Sequence, residues 1–318
     1  MRIIGTGSAL PSKVVTNLDL TKFLDTSDEW ISTRTGIRER RVLSTESLDQ
    51  LASQAAKAAL QCAGVSASEI DFILCSTVQG EWVTPALACV IQRDVGATCP
   101  ALDLNGACAG FVYALDLADA YLRAGKAKRI LVVCAEAMSH IVDWTRREEC
   151  VLFGDGAGAV VVDGGEGLLA MRLTARGESM PLFMRASTGN SPYEENPVAQ
   201  DYLHMAGQEV YRFAVGACVE DLRAILSQTG LAPDQVDFFL LHQANFRILE
   251  AVRARMELPP EKFPHNLERY GNTSSATVPI LLDELNRAGA LKAGQTLALS
   301  AFGAGLVTGA CLIRWNLS

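Results

Sequence analysis

The chain contains an internal repeat, and this feature constrains its fold more than any other. The segment AALQCAGVSASEIDFILCSTV at 58–78 and the segment AILSQTGLAPDQVDFFLLHQA at 224–244 follow one plan, offset by 166 residues. Each has a helix end, a glycine, a short polar loop and an apolar strand that opens at an aspartate, Asp71 or Asp237. A chain built in this way is predicted to fold as two similar halves.

A second pair of similar segments lies C-terminal to the two copies. CAGFVYALDLADAYLRAG at 108–125 and NTSSATVPILLDELNRAG at 272–289 each place apolar residues on one helical face. Both end in Arg-Ala-Gly, with the glycine where a helix C-terminus favours it, and an apolar strand follows each. Alternating strands and helices indicate parallel-rich sheets covered by helices. We therefore predict a duplicated α/β fold with halves 1–165 and 166–318.

Three chemically able residues occupy related positions in this plan. Counting back 17 residues from the last glycine of each helical segment gives Cys108 in one half and Asn272 in the other. His242 ends a repeated strand whose counterpart ends at Ser76. Open α/β sheets bind ligands at strand ends and helix starts, so these side chains are predicted to converge. A helix N-terminus also favours the thiolate form of a cysteine.

Each of these three residues also has a purely structural interpretation. Cys108 could be a further buried thiol, His242 a structural histidine at a strand end, and Asn272 a helix cap. The repeat and the combination of the three favour function.

Composition excludes several classes of protein. The nine cysteines are irregularly spaced and include no C-x-x-C pair, which is typical of reduced thiols in a cytoplasmic protein and disfavours disulfides or structural zinc. A net charge of −8 disfavours a nucleic-acid partner. No apolar run approaches the roughly 18–20 residues of a membrane span, and the N-terminus does not resemble a signal peptide. We expect a cytoplasmic protein with no membrane partner.

Six stretches resemble one known family in order and spacing, along nearly the whole chain. They are TSDEWISTRTGIRERR (26–41), NGACAGF (105–111), LFGDGAGAVVV (152–162), HQANFRI (242–248), GNTSSATVP (271–279) and FGAG (302–305). The chain resembles β-ketoacyl-acyl-carrier-protein synthase III, the initiating condensing enzyme of bacterial fatty-acid synthesis. The resemblance implies a thiolase-like α/β fold, with two pseudo-symmetric halves forming a layered α-β-α-β-α core. The Cys-His-Asn set fits this branch, whereas elongating synthases use Cys-His-His.

The resemblance implies a decarboxylative Claisen condensation. Cys108 attacks the thioester of an acyl-CoA primer and becomes acylated. His242 and Asn272 then hydrogen-bond the thioester carbonyl of malonyl-acyl carrier protein and stabilise the enolate formed as CO₂ leaves. The resulting carbanion attacks the acyl group on Cys108 and gives 3-oxoacyl-acyl carrier protein. No metal or redox cofactor is expected, because CoA enters as the thioester substrate.

Supporting roles follow from the same resemblance. Backbone N–H groups of Cys108 and Ala304 are expected to form an oxyanion hole, and Phe302 to support decarboxylation. Ala304 stands where glycine is typical. Thr84 stands where many members carry phenylalanine and is expected to line the acyl pocket across a homodimer interface. A smaller residue there predicts a primer longer than acetyl.

Two binding surfaces are also implied. The residues expected to contact CoA are Thr26, Trp30, Arg34 and Arg147, with adenine held between the indole and the Arg147 guanidinium. The residues expected to contact the acidic carrier protein are Arg212, Gln243, Ala244, Asn245, Phe246, Arg247 and Arg255. Glu148 and Glu149 replace a Gly-Thr pair beside Arg147, and we expect their charge to weaken binding of CoA phosphates.

Three alternatives remain open from the sequence. One is a condensing enzyme or acyltransferase of the same fold in a polyketide or other secondary-metabolite pathway. Another is a cysteine hydrolase, since papain-like proteases also place Cys, His and Asn in this order, although their cysteine context is missing. The third is a non-catalytic thiolase-fold partner, which would have no need of all three side chains.

Overall fold

Two mixed sheets with the same strand order carry the fold. The structure is a computed structural model that describes residues 1–317. Its strands are β1 (Arg2–Ala9), β2 (Lys13–Thr16), β3 (Glu39–Val42), β4 (Phe72–Ser76), β5 (Ala101–Leu104), β6 (Arg129–Ala137), β7 (Asp155–Asp163), β8 (Leu168–Glu178), β9 (Leu182–Phe183), β10 (His204–Met205), β11 (Phe238–Leu241), β12 (Thr296–Gly303) and β13 (Gly305–Arg314). Its α-helices are α1 (Asn17–Leu20), α2 (Asp28–Thr35), α3 (Leu48–Ala63), α4 (Leu87–Val95), α5 (Gly110–Arg123), α6 (Arg147–Cys150), α7 (Gly207–Thr229), α8 (Phe246–Met256), α9 (Leu267–Tyr270) and α10 (Thr277–Arg287).

The strand order confirms the duplication. The first sheet runs β1-β7-β6-β4-β5 and the second runs β8-β13-β12-β11, so the second repeats the first without its edge strand. Strand directions match as well, because β4 is parallel to β6 as β11 is to β12, and the remaining equivalent pairs are antiparallel. The repeated aspartates make the same bond: Asp71 accepts from the N–H of Arg129 at 3.0 Å, and Asp237 from that of Thr296 at 2.8 Å.

The elements stack in five layers. Helices α3 and α4 cover the outer face of the first sheet, and α7 packs on the outer face of the second with α8 against it. Helices α5 and α10 lie between the sheets; α5 contacts strands of both, and α10 contacts β1, β7 and β11. The apolar face predicted for α5 is buried at Phe111, Leu115 and Ala118. The predicted α-β-α-β-α architecture is therefore confirmed.

The boundary proposed near 165 lies in the turn between β7 and β8. Because both central helices pack between the sheets, the halves share a continuous apolar layer. Among residues 1–317, no helix is long and apolar enough to cross a membrane.

The two central helices begin in the same unusual way. A 3₁₀ turn precedes each, at Ala107–Ala109 and at Ser274–Ala276, and the first residue of each turn has positive φ, 45° at Ala107 and 52° at Ser274. The terminal glycines Gly125 and Gly289 have φ of 69° and 65°, as their position after a helix predicts.

These turns correct one sequence prediction. Matching the turns pairs Cys108 with Ser275, so the predicted equivalence of Cys108 and Asn272 is wrong. Helix α5 has 14 residues and α10 has 11, so counting back from the C-terminal glycines misaligns the helix starts by three residues. Asn272 lies just before its turn and not within it.

Candidate active site

Cys108 lies in the 3₁₀ turn immediately before α5 and lines a cavity of about 1760 Å³. Small residues make this position possible. A Cβ at Gly110 would lie 1.9 Å from the Ser76 hydroxyl, and a Cβ at Gly303 would lie 2.7 Å from the Cys108 nitrogen. Both distances are too short for any other residue without rearrangement. The glycines therefore let the end of β12 and the end of β4 close against the cysteine turn.

His242 follows β11 and is buried beside this turn. Its N–H donates to the Ser300 carbonyl at 2.8 Å, which extends the parallel pairing of β11 with β12 by one residue. Its Nδ1 lies 2.7 Å from the Thr277 hydroxyl, and its ring meets Phe302 edge-on with centroids 5.2 Å apart. Burial lowers the pKa of His242 to about 3, so the imidazole is neutral near pH 7.

Asn272 is held by its backbone and by its own side chain. Its N–H donates to the Leu152 carbonyl at 2.8 Å, and its carbonyl accepts from Gly154 N–H at 3.1 Å. Its Oδ1 accepts from Ser274 N–H at 2.8 Å. With the oxygen engaged, the amide orientation fixed by this bond leaves the Nδ2 hydrogens to donate. Cys108, His242 and Asn272 all line the one cavity, as the sequence predicts.

The electrostatics of the cysteine follow from its surroundings. The pKa of the Cys108 thiol is raised to about 12, mainly by burial and to a smaller extent by the nearby Glu136 carboxyl, while a hydrogen bond from Ser274 opposes the rise. The neutral His242 supplies no positive charge. A stable thiolate–imidazolium pair of the kind that cysteine hydrolases use is therefore disfavoured in this site.

The residues predicted to form the oxyanion hole and to support decarboxylation lie where the cysteine turn meets the second sheet. Ala304 joins β12 to β13 and lines the cavity beside Phe302. The close approach of Gly303 to the Cys108 nitrogen brings this connection against the cysteine turn.

The predicted CoA residues form a stacked group. The Arg34 and Arg147 guanidinium carbons lie 4.7 and 4.8 Å from the Trp30 ring centroid. This distance is direct contact, so a base can enter between Trp30 and Arg147 only when the guanidinium moves away. Thr26 does not line the cavity, and its buried hydroxyl makes no hydrogen bond within residues 1–317.

The two glutamates beside Arg147 face in different directions. Glu149 is 1% exposed and pairs with Arg146 at 2.7 Å, so the prediction that it repels CoA phosphates is wrong. Glu148 is exposed and lines the cavity 3.7 Å from Arg147, where its charge can act on a phosphate.

The predicted carrier-protein residues divide into exposed and buried members. The exposed residues are Arg212, Phe246, Arg247 and Arg255, and Asn245 is half-buried. Gln243 is 0% exposed, with its amide nitrogen bonded to the Leu241 carbonyl and its oxygen to Asn266 N–H. The prediction that Gln243 contacts a carrier protein is therefore wrong. Ala244 is buried as well and lines the cavity.

The acyl-pocket position has a neighbour that the sequence did not single out. Thr84 does not line the cavity of its own chain, whereas the preceding residue, Val83, does. The expectation for Thr84 concerns the partner's pocket and stays a prediction.

Sequence reasoning missed three residues around the catalytic set. Ser274 lies within 3.4 Å of the Cys108 sulfur, and Thr277 contacts His242. Glu136 accepts from the Ser275 hydroxyl and from Val78 N–H, and burial raises its pKa to about 7. A carboxyl inside the apolar strand VVCAEAM was a signal for Glu136, and the polar run after Asn272 was one for the other two.

The layered fold and the cavity residues together define a condensing enzyme of the thiolase class. Residues 102–177 match the family model described as 3-Oxoacyl-[acyl-carrier-protein (ACP)] synthase III, and residues 226–315 match the model of its C-terminal part. The chain belongs to the β-ketoacyl-[acyl-carrier-protein] synthase III family.

Three similar proteins illustrate the relation. The family member of Xanthomonas axonopodis pv. citri is 45% identical over 99% of this chain and 98% of its own. The crystal structure of the Aquifex aeolicus enzyme has a TM-score of 0.92 at 43% identity and covers 99% of both chains. The priming β-ketosynthase of the R1128 polyketide pathway has a TM-score of 0.93 at 35% identity, covering 100% of this chain and 97% of that one.

The depressed pKa of His242 predicts a pH dependence of stability. The unfolded chain binds a proton near pH 6.5, whereas the folded chain binds it only near pH 3. This residue's contribution is therefore complete above pH 6.5 and is lost as the pH falls. Between pH 7.5 and pH 5, the unfolding free energy of the unaltered protein should fall by about 2 kcal/mol more than that of His242→Gln. Urea denaturation at the two pH values measures both changes.

His265 provides a control of opposite sign. Its hydrogen bond to Glu268 raises its pKa, so its contribution grows as the pH falls through that range. His265→Gln should therefore lose more stability than the unaltered protein on acidification. Equal losses for His242→Gln and the unaltered protein would contradict the assignment.

Proposed function

We propose that the protein condenses an acyl-CoA primer with malonyl-acyl carrier protein, as the initiating step of fatty-acid synthesis. One observation carries the proposal: a cysteine at the start of a buried helix shares one cavity with a neutral histidine and an oriented asparagine amide. Such a set can form an acyl-enzyme and donate hydrogen bonds to a developing enolate.

In the first half-reaction, the Cys108 sulfur attacks the primer carbonyl. A carbon–sulfur bond to Cys108 forms, the bond to CoA breaks, and the thiol proton ends on the departing CoA sulfur. Backbone N–H groups of Cys108 and Ala304 stabilise the tetrahedral oxyanion. Support comes from the contact of Gly303 with the cysteine turn, which brings the Ala304 connection to that side.

In the second half-reaction, malonyl-acyl carrier protein loses CO₂. His242 Nε2–H and Asn272 Nδ2–H donate to its thioester oxygen as the enolate develops. The carbanion then attacks the acyl group, the bond to Cys108 breaks, and the thiolate takes a proton from solvent. Phe302 packs against the edge of His242 and limits water beside the enolate. These steps use side chains and thioesters alone, so we propose no resident cofactor.

Thr277 determines which ring nitrogen of His242 can donate. Its hydroxyl lies 2.7 Å from Nδ1 and 3.0 Å from the Ser274 carbonyl, and it has one proton to give. In the structure this proton is directed to the Ser274 carbonyl, so the hydroxyl must turn from that carbonyl to Nδ1 for the neutral ring to carry its hydrogen on Nε2. The decarboxylation step requires this tautomer.

Priming of a polyketide chain uses the same chemistry. The relatives that match nearly the whole chain are named β-ketoacyl-[acyl-carrier-protein] synthase III, the name of the fatty-acid-synthesis enzyme. We therefore favour fatty-acid synthesis over a polyketide pathway. The nine free cysteines fit a reducing compartment, so we propose a cytoplasmic enzyme, which cell fractionation would test.

The nucleophile is tested by mass spectrometry of the intact protein. Incubation with acyl-CoAs from acetyl to dodecanoyl, in buffer containing EDTA, should add one acyl group to the unaltered protein and none to Cys108→Ala. His242→Ala and Asn272→Ala should still be acylated but lose condensation by about 100-fold or more, because they act on the enolate. A folded protein that takes no acyl group from any CoA would refute the priming mechanism.

The carrier-protein surface is proposed at Arg212, Arg247 and Arg255. All three are exposed, and the first two line the cavity. Arg253, by contrast, is held by Glu250 and by the Leu258 carbonyl. A local basic group on a chain of net charge −8 suits an acidic partner.

Charge reversal separates docking from chemistry. Arg255→Glu should raise the KM for malonyl-acyl carrier protein by about tenfold or more and change acylation by acyl-CoA far less, because the residue lies outside the cavity. Lys57→Glu, a charge reversal at an exposed residue of α3, is the matched control. Equal KM values for both variants would contradict the assignment.

A homodimer through the first sheet is also proposed. Strand β5 is its edge and pairs only with β4, and apolar residues are exposed nearby in sequence or on α5: Trp82, Val83, Leu102 and Leu117. An exposed strand edge with apolar neighbours favours pairing with a second chain.

The dimer and the primer are tested together. Sedimentation velocity should give a mass near twice 34.1 kDa. Thr84→Phe should shift acylation toward shorter primers, because the larger ring would fill the partner's pocket, while Thr84→Ser should retain the original preference. A monomer, or an unchanged chain-length profile in Thr84→Phe, would refute the cross-interface pocket.

A further inference from the structure

Ser274 contacts both Cys108 and Asn272, and it reaches His242 through Thr277. It opens the 3₁₀ turn after Asn272 and is completely buried. We propose that Ser274 is a further catalytic residue, whose hydroxyl donates a hydrogen bond to the Cys108 sulfur and stabilises the thiolate before acylation. The proposal rests on the assignment of Cys108 as nucleophile.

The hydroxyl is placed on the reacting atom. Ser274 Oγ lies 3.4 Å from Cys108 Sγ, a hydrogen-bond distance for sulfur. The other features of the site oppose ionisation of the thiol, since the half-buried Cys108 is desolvated by its surroundings and has the Glu136 carboxyl nearby. His242 is neutral and contributes no compensating charge. Among residues 1–317, Ser274 is the side chain that donates a hydrogen bond to this sulfur. Its hydroxyl is therefore the side-chain group that favours the thiolate form of Cys108.

The remaining polar groups of Ser274 are committed to the other two catalytic residues. Its N–H donates to Asn272 Oδ1 at 2.8 Å. Its carbonyl lies 3.0 Å from the hydroxyl of Thr277, which in turn contacts His242. The bond to Asn272 fixes the backbone with the side chain toward Cys108, and the Glu136 carboxyl is a second acceptor close to the hydroxyl.

The backbone of Ser274 carries strain that a glycine would not. Its φ of 52° lies in the left-handed region, which non-glycine residues enter at a cost and mainly at functional sites. The equivalent residue of the other turn, Ala107, has φ of 45° and no polar side chain. A hydroxyl therefore occurs only in the turn that faces the nucleophile from the opposite half. This difference points to the hydroxyl, and not to the turn itself, as the functional feature.

The test compares Ser274→Ala with Ser274→Gly. Both remove the hydroxyl, and glycine also relieves the positive φ, so the pair separates hydrogen bonding from backbone conformation. We would measure the rate of Cys108 alkylation by iodoacetamide between pH 6 and pH 10, with the modified peptide quantified by mass spectrometry. Both variants should react about tenfold or more slowly across this range, because the pKa of the Cys108 thiol lies above it and the rate follows the small thiolate fraction.

Ser53→Ala is the matched control, because Ser53 is a buried serine whose hydroxyl bonds to Asp94 on the outer helices. It should leave the Cys108 profile unchanged. Circular dichroism and thermal unfolding would verify that each variant is folded, and Ser274→Gly keeps the test valid if the alanine variant does not fold.

Two outcomes would overturn the proposal. A profile unchanged in both variants would show that the hydroxyl does not stabilise the thiolate. A slow alanine variant beside a normal glycine variant would assign the effect to the backbone. The assay needs neither CoA nor carrier protein, so its failure is distinct from a failure of acyl labelling, which would refute the proposed function instead.

Discussion

The contact between the end of β12 and the turn that carries Cys108 is the constraint on which the rest of the site depends. A Cβ at Gly303 would lie 2.7 Å from the Cys108 nitrogen, and one at Gly110 would lie 1.9 Å from the Ser76 hydroxyl. Only glycine allows two sheets from different halves to close on one residue. That closure places the cysteine at a helix start, between the sheets, with the residues of the second half around it. Duplication supplies the two sheets, and these glycines set how closely they approach.

We propose that Cys108, His242 and Asn272 work through hydrogen bonds, because none of the three side chains carries a positive charge near pH 7. Burial lowers the pKa of His242 and raises that of Cys108, so both are neutral near pH 7 before substrate binds. A neutral imidazole and an amide suit donation to an enolate better than proton abstraction. The same neutrality makes the Ser274 hydroxyl important, since His242 carries no positive charge that would favour the thiolate. In this proposal one short segment serves both half-reactions, through Ser274 in the 3₁₀ turn and Asn272 two residues before it.

The residues at the edge of the cavity are proposed to bind large partners from solvent, so their exposure matters more than their contacts with the catalytic set. Trp30 and Arg147 lie in contact and must separate to admit a base. Glu149 turns inward to Arg146 and leaves Glu148 to face the cavity. Residues adjacent in sequence thus differ in accessibility, and Gln243 is buried although it lies within the motif predicted to bind the carrier protein.

The sequence by itself predicted the duplication, and its resemblance to the synthase III family predicted the five-layer α/β fold and the set of Cys108, His242 and Asn272, which line one cavity in the structure. Periodicity and repeated motifs indicate local structure and internal symmetry, and both can be recognised without knowing any distance between residues. Only the tertiary structure revealed the three-residue difference between α5 and α10, the inward turns of Gln243 and Glu149, and the contact of Ser274 with Cys108. The physical reason is that such contacts join residues far apart in the chain. Their geometry depends on how closely the two halves pack, which a sequence pattern does not encode.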